Sequence, residues 1–181
     1  VLLRASLLQK YGFWDHDFFM YHEDLEYSIR LRMAGYRIVM VRDSVFYHKY
    51  QFSRSIQKFF WMLRNRFAVL LLFYRWPTLL LMAPMLLVLE VGLWLFAFRG
   101  GWWKERVRVW QYWLSFQNIR PWLIKRKRMQ SMRVLSDRAL LSIALPGIYF
   151  QEKKMETPLL TYVGNPIMTA YYYLLRTIVL W

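Results

Sequence analysis

Two adjacent carboxylates, Glu23 and Asp24, open a stretch with the composition of a helix's first turn, and Glu26 follows two residues on. Unpaired N–H groups at a helix start are partly positive, so an acidic side chain there is favoured in its ionised form and can take a proton from a hydroxyl. Taken by itself, the pair reads first as a helix cap. An aromatic ring and an imidazole precede it directly in Tyr21-His22-Glu23-Asp24, and a second acidic pair, Asp15 and Asp17, flanks His16. Further along, His48 is a candidate metal-binding imidazole. Arg64 and Arg66 offer planar guanidinium groups that suit phosphate oxygens, and equally a membrane surface.

These side chains need elements to stand on. Residues 1–48 read as soluble α/β protein: a short strand at the opening Val1-Leu2-Leu3-Arg4, a turn at Tyr11-Gly12, an aromatic loop through Phe19, then a helix. The helix is acidic where it starts, carries Arg30 and Arg32 towards its other end, and stops at Gly35. Arg30 reads as a structural partner for an acidic residue. Residues 36–41 alternate as a strand does, and Val45-Phe46-Tyr47-His48 is a second extended run. The opening has no start signal, cap or targeting peptide, so the chain is expected to be the C-terminal part of a longer protein.

The run Tyr11-Gly12-Phe13-Trp14-Asp15-His16-Asp17-Phe18-Phe19-Met20-Tyr21-His22-Glu23-Asp24, followed by Arg30, Ala34-Gly35-Tyr36-Arg37 and His48, resembles the acceptor-side signature of family 2 glycosyltransferases. The likeness continues into Arg64-Asn65-Arg66 and covers about the first 66 residues. It implies an α/β remnant of a GT-A nucleotide-sugar transferase domain, followed by an α-helical membrane-associated tail. It also implies inverting transfer of a sugar from a nucleotide-sugar donor to a saccharide or lipid-linked acceptor, in cell-surface polysaccharide or glycolipid synthesis. Asp24 takes the general base's place, with Glu23 orienting it or binding an acceptor hydroxyl. Tyr21, His22, Arg64 and Arg66 are the candidate substrate-binding residues, and His48 matches a position close to the metal or the diphosphate. The family's divalent ion, Mg²⁺ or Mn²⁺, has its main ligands in a half that would precede Val1, so the chain alone is expected to be inactive. Asp15 and Asp17 lie after the expected acceptor strand and read as turn residues, because the family's metal-binding Asp-X-Asp lies before it.

Beyond that head, residues 1–52 in this reading, the pattern becomes helical. Residues 53–66 place Ile56, Phe59, Phe60 and Leu63 at spacings of three and four among basic residues, an amphipathic basic helix. Residues 67–98 are almost wholly apolar, interrupted by Arg75, Pro77, Pro84 and Glu90. As one helix they would reach about 48 Å at about 1.5 Å per residue, too long for one upright crossing of a roughly 30 Å layer and too short for two. A re-entrant hairpin bent near Pro77 and Pro84 fits, as do two short tilted spans. Residues 99–157 form a basic, Trp-rich interfacial region, and residues 158–181 a C-terminal apolar helix. From Arg99 to Glu156 there are 13 Lys plus Arg against 4 Asp plus Glu, a stretch expected to stay on the cytoplasmic face of the cell membrane.

Lys plus Arg number 26 against 11 Asp plus Glu, in a chain that is 57% hydrophobic and 20% aromatic. The basic groups flank long apolar runs that a soluble nucleic-acid binder would have no reason to expose, so the expected partner is a membrane surface and not nucleic acid. With no Cys, disulfides and thiolate metal sites are excluded. Two other classes compete. A non-enzymatic membrane protein with a transferase-like head would lack an upstream Asp-X-Asp. A processive polysaccharide synthase would carry Gln-X-X-Arg-Trp after the acidic helix, which Gln57 and Gln111 do not supply.

Overall fold

A computed structural model describes residues 2–39, 41–45, 47, 56–149 and 157–181. In chain order the elements are α1 (Ala5–Tyr11), a 3₁₀ turn (His16–Phe18), α2 (Glu23–Met33), α3 (Gln57–Phe73), α4 (Trp76–Arg99), α5 (Trp103–Leu114), α6 (Phe116–Ser131), α7 (Asp137–Ser142), a π turn (Leu160–Gly164) and α8 (Asn165–Ile178). They group into two compact units. The first is Val1–Phe73 with Trp94–Val134, the second Tyr74–Leu93 with Leu135–Trp181.

The α/β expectation is overturned: the described residues contain no strand. Residues 2–4 and 36–39 are irregular, α1 follows the first of them, and of the second extended run only Val45 and Tyr47 lie within the described residues. The reason is that a strand persists only where its N–H and C=O groups find a neighbouring ladder, and a period-two apolar pattern only where a sheet face buries it. Among the described residues neither is offered. Val39 and Val41 are 71% and 63% exposed, and Tyr36 instead meets Tyr11 of α1 edge to face at 5.4 Å. The helix between the two mistaken strands is as expected. Its first turn holds Glu23, Asp24 and Glu26, its last Arg30 and Arg32, and Gly35 follows at φ +90°.

In the first unit α3 packs on α5 and α6, burying Leu63, Ala68, Val69 and Leu72 with Val109, Trp122 and Met129. The last carbonyls of a helix have no intrahelical partner, and α6 answers those of α3. Gln130 Nε2 donates to Leu72 O at 2.7 Å, and Arg126 and Arg133 donate to Leu71 O and Phe73 O. Two cations at the negative end of the helix dipole also favour the arrangement. Part of the basic run that reads as membrane charge is therefore spent inside the fold.

In the second unit Asp137, fully buried, holds the start of α4 by accepting from Arg75 N at 2.8 Å and Thr78 Oγ1 at 2.5 Å. Trp181 Nε1 donates to the same hydroxyl at 2.9 Å. The break in the apolar stretch falls at residues 74–75, ahead of both prolines. Pro77 occupies the first turn of α4, where its missing N–H is not needed, and Pro84 lies inside the helix. Among the described residues α4 is the one helix long and apolar enough to cross a membrane: 24 residues, mean hydropathy 2.3, with 6% of its apolar window buried. At about 1.5 Å per residue it reaches about 36 Å. The chain leaves the first unit after Phe73 and re-enters it at Trp94, where Trp102 stacks on Phe59 at 4.3 Å.

Candidate functional site

The candidate site lies in the first unit, where the loop from Gly12 to His22 runs into α2. Gly12 has φ +81°, and a side chain there would be strained. Asp15 Oδ1 accepts from Asp17 N at 2.9 Å and so starts the 3₁₀ turn. Beyond it Phe19, Tyr21 and His22 all have positive φ, 54°, 64° and 65°. Three non-glycine residues in this region within four positions cost about 1–3 kcal/mol each and persist only where surrounding contacts hold them.

Asn65 of α3 is what holds them. It is wholly buried, and its Nδ2 donates to Phe18 O, Met20 O and Tyr21 O at 2.7, 2.8 and 2.7 Å. Its Oδ1 accepts from Arg64 Nε and Nη2 at 2.9 and 2.7 Å. The opposite amide orientation would set an oxygen against three carbonyls, so the network fixes the assignment. Arg64 also donates to Asp17 O, and its guanidinium sits over Trp61, Tyr112 and Trp122 at 4.5, 5.4 and 5.7 Å from the ring centres. A buried cation is tolerated where rings and acceptors replace its water. Phe18 and Phe19 pack their rings on Trp122 and Trp61.

From the α2 side, Arg30 ties the loop's other end down. It donates to Tyr11 O at 2.7 Å and Phe13 O at 2.9 Å, and pairs with Glu26 at 2.7 Å, as an arginine expected to partner an acid should. Burial pushes the Glu26 carboxyl upward and the Arg30 charge opposes it, leaving it above its ordinary value. With the loop fixed, Trp14 stacks on Tyr27 at 4.6 Å and 13°, and its Nε1 donates to Asp24 Oδ1 at 2.9 Å. Asp24 is exposed. It makes no side-chain cap, and the residue before α2, His22, makes none either. Asp24 is thus held by an indole and not spent on capping.

Glu23 Oε2 and His22 Nδ1 are buried atoms without a hydrogen-bond partner among the described residues. Burial, with the nearby charge of Arg66, pulls the His22 imidazole down to about 4, so it is neutral at physiological pH. Because the unfolded chain protonates near 6.5, it binds more protons than the folded one between pH 6.5 and 4. Stability is therefore full above pH 6.5 and falls as pH drops through that window, by about 3 kcal/mol at most. Denaturation midpoints taken at pH 7 and pH 4.5 should show this slope in the native protein and lose it in His22→Gln. An equal slope in both would place the titration elsewhere.

Asp15, His16 and Asp17 bring their ligand atoms within 4.8 Å of one another, a spacing a metal could use. Lys125 of α6 occupies the position instead, its Nζ 2.6 Å from Asp15 Oδ2 and 2.5 Å from Asp17 Oδ2. The ammonium pairs with both carboxylates and takes the place a cation would use there; Asp15 and Asp17 read as turn residues and not as the ligands of the Mg²⁺ or Mn²⁺ that the resemblance implies. Burial pushes the Asp17 carboxyl up, and Lys125 and His16 more than reverse this, leaving it below its ordinary value. His48 lies outside the described residues.

The structure therefore gathers Tyr21, His22, Glu23 and Asp24 at one loop-to-helix junction, with Arg66 beside His22 and Arg64 turned inward beneath the loop. Three residues given no role from sequence prove central: Trp14, Asn65 and Lys125. Asn65 stood between two arginines already singled out, but nothing in a sequence says which side chain of a helix meets a loop some 45 residues earlier. Comparison of the chain with protein-family models, with curated proteins and with solved structures gave no match.

Proposed function

We propose that this chain forms the acceptor-side part of a site that transfers a sugar from a nucleotide-sugar donor to a saccharide or lipid-linked acceptor, at the cytoplasmic face of a membrane. The observation that carries the reading is the exposed Asp24 carboxylate, oriented by Trp14 at the end of a strained and clamped loop. Asp24 removes the acceptor hydroxyl's proton as that oxygen attacks the anomeric carbon. The bond from this carbon to the nucleoside diphosphate breaks on the opposite face, and the diphosphate leaves with the electron pair, so configuration inverts. Glu23, His22 and Tyr21 surround the acceptor, the first two with polar capacity that the described residues do not use. The exposed apolar side chains of α4, Leu80, Leu87, Val88 and Val91 among them, and the basic stretch after it support a membrane location.

The test is turnover by the full-length protein in membranes with a panel of nucleotide sugars and lipid-linked saccharides, followed by nucleoside diphosphate release and mass spectrometry of the acceptor. One donor should give a product with inverted anomeric configuration. Release with none of them removes the reading.

Trp14 is a positioning residue in this scheme. Trp14→Phe keeps a ring on Tyr27 and loses the N–H, which should lower kcat about tenfold, the equivalent of about 1.4 kcal/mol from a hydrogen bond to a charged acceptor. The KM for acceptor and the melting temperature should barely move. A fall in stability with kcat intact would make Trp14 a packing residue only.

A further inference from the structure

The indole of Trp14, in the first unit, has one covered face and one open one. The covered face stacks on Tyr27 at 4.6 Å and 13°. Tyr27 is itself buried, with the Arg30 guanidinium over its ring at 4.8 Å, so it is a fixed base. Trp14 is nonetheless 38% exposed, and what water meets is the other face. That face is held in place from two sides: Arg30 donates to Tyr11 O and Phe13 O just ahead of it, and the indole N–H is tied to Asp24. Its chain neighbour Phe13 and Asp24's neighbour Leu25 are exposed as well. An immobilised indole open to water beside a carboxylate has the makings of a recognition surface.

The guest that suits this face has an apolar side about as flat as a six-membered ring and polar groups round its rim. An aromatic face is electron-rich and attracts weakly positive C–H groups. A pyranose offers them, since its axial C–H bonds point from the faces of the ring and its equatorial hydroxyls radiate from the edge. An anionic guest fits worse: Asp24 repels it, and the Arg30 guanidinium beside the stack is spent on Tyr11 O, Phe13 O and Glu26. At the same junction Glu23 Oε2 and His22 Nδ1 have no hydrogen-bond partner among the described residues, which matches a guest with hydroxyls on its rim. The edge also selects the reacting hydroxyl. An indole N–H lies in the ring plane, so Asp24 Oδ1, 2.9 Å from Nε1, sits beyond the ring's edge and not over its face. An equatorial hydroxyl of a stacked sugar projects sideways to that carboxylate. An axial one on the near side would lift the sugar off the indole, and one on the far side would point away from the acid.

We propose that the open face of Trp14 seats the terminal pyranose of the acceptor, and that the hydroxyl glycosylated is an equatorial one. The assignment names the substrate class of the same site and rests on the transferase reading. The full-length protein in phosphatidylcholine nanodiscs is mixed in turn with methyl β-D-glucopyranoside, methyl β-D-galactopyranoside, methyl α-D-mannopyranoside and methyl α-L-rhamnopyranoside. Magnetisation is then transferred from the protein's aromatic protons to the sugar. With at least one of the four, the C–H protons of one ring face should receive at least about threefold more saturation than those of the other. Trp14→Phe, which keeps a ring on Tyr27, should keep this pattern, and Trp14→Leu should lower the transfer at least about fivefold. Equal saturation of both faces, transfer that survives in Trp14→Leu, or no transfer to any of the four overturns the seat. The face pattern in the native protein decides even if Trp14→Leu fails to fold. Turnover separates the two readings. Trp14→Leu should raise acceptor KM about fivefold, which Trp14→Phe does not, and the new linkage should lie on an equatorial oxygen. Product formed with an acceptor KM that Trp14→Leu leaves unchanged removes the seat and keeps the transferase, and an axial linkage removes the assigned hydroxyl. A sugar stacked on Trp14 in a protein that uses no donor keeps the seat and removes the transferase.

Discussion

Asp24→Asn should lower turnover of the full-length protein at least about 100-fold while donor binding is retained. The loss follows from the chemistry assigned to the residue, since proton removal by a positioned carboxylate is worth about 10²- to 10⁴-fold. Asparagine keeps the size and the acceptor oxygen that Trp14 Nε1 reaches at 2.9 Å, so the junction should hold its shape. Only the basicity is gone. Single-turnover rates and donor titrations on the same preparation separate chemistry from binding. Near-normal turnover would take Asp24 out of the base's role, and a parallel loss of donor affinity would make it a binding group. Glu23→Gln provides the contrast. Its carboxylate is offered as an orienting or hydroxyl-binding group, so its effect belongs on acceptor KM more than on kcat.

Asn65→Ala should destabilise the protein by about 3–4 kcal/mol, because it orphans three loop carbonyls and part of the Arg64 guanidinium, at about 1–3 kcal/mol for each group that water cannot reach. For a chain of this length that corresponds to a fall of about 10 °C in Tm. The effect on function should exceed what the melt implies. Phe19, Tyr21 and His22 hold positive φ only against this clamp, and once released the loop relaxes and Trp14 loses its place beside Asp24. Activity should therefore be lost well below the new Tm. Asn65→Asp offers a second route: it keeps the acceptor for Arg64 but sets a carboxylate against three carbonyl oxygens, so it should fail at the loop more than at the arginine. An unchanged melt with normal activity in both variants would show that the rings of Phe18 and Phe19 suffice to hold the loop.

Some of this was legible in the residues. The acidic first turn, the basic last turn and Gly35 delimit α2 by local physics alone, since dipole and capping preferences act within one turn. The apolar stretch marked a membrane candidate for a similar reason, but it reads as a re-entrant hairpin or two short tilted spans, where the structure has one 24-residue apolar helix, α4. The two strands failed on a non-local condition. The alternation in residues 36–41 is genuine, but alternation becomes a strand only when another strand pairs with it, and the described residues supply none. The place each proline takes is also set at a distance: Pro77 falls in the first turn of α4 and Pro84 inside the helix, because Asp137, sixty residues from Pro77, fixes the helix start by anchoring Arg75 and Thr78.

By itself, then, the sequence determined the helix that carries Asp24, the acidic pair at its start, the basic and apolar zones after it, and the absence of thiol chemistry. These depend on neighbours in the chain. Only the tertiary structure decided that, among the described residues, no sheet supports the junction, that Asn65 and Arg64 clamp its loop, that Trp14 takes Asp24 as its acceptor, and that Lys125 pairs with both carboxylates of the Asp15, His16 and Asp17 cluster. Each of those contacts joins residues between ten and 110 positions apart. Which of many basic or amide side chains reaches a given loop is set by helix packing, and no local pattern encodes it.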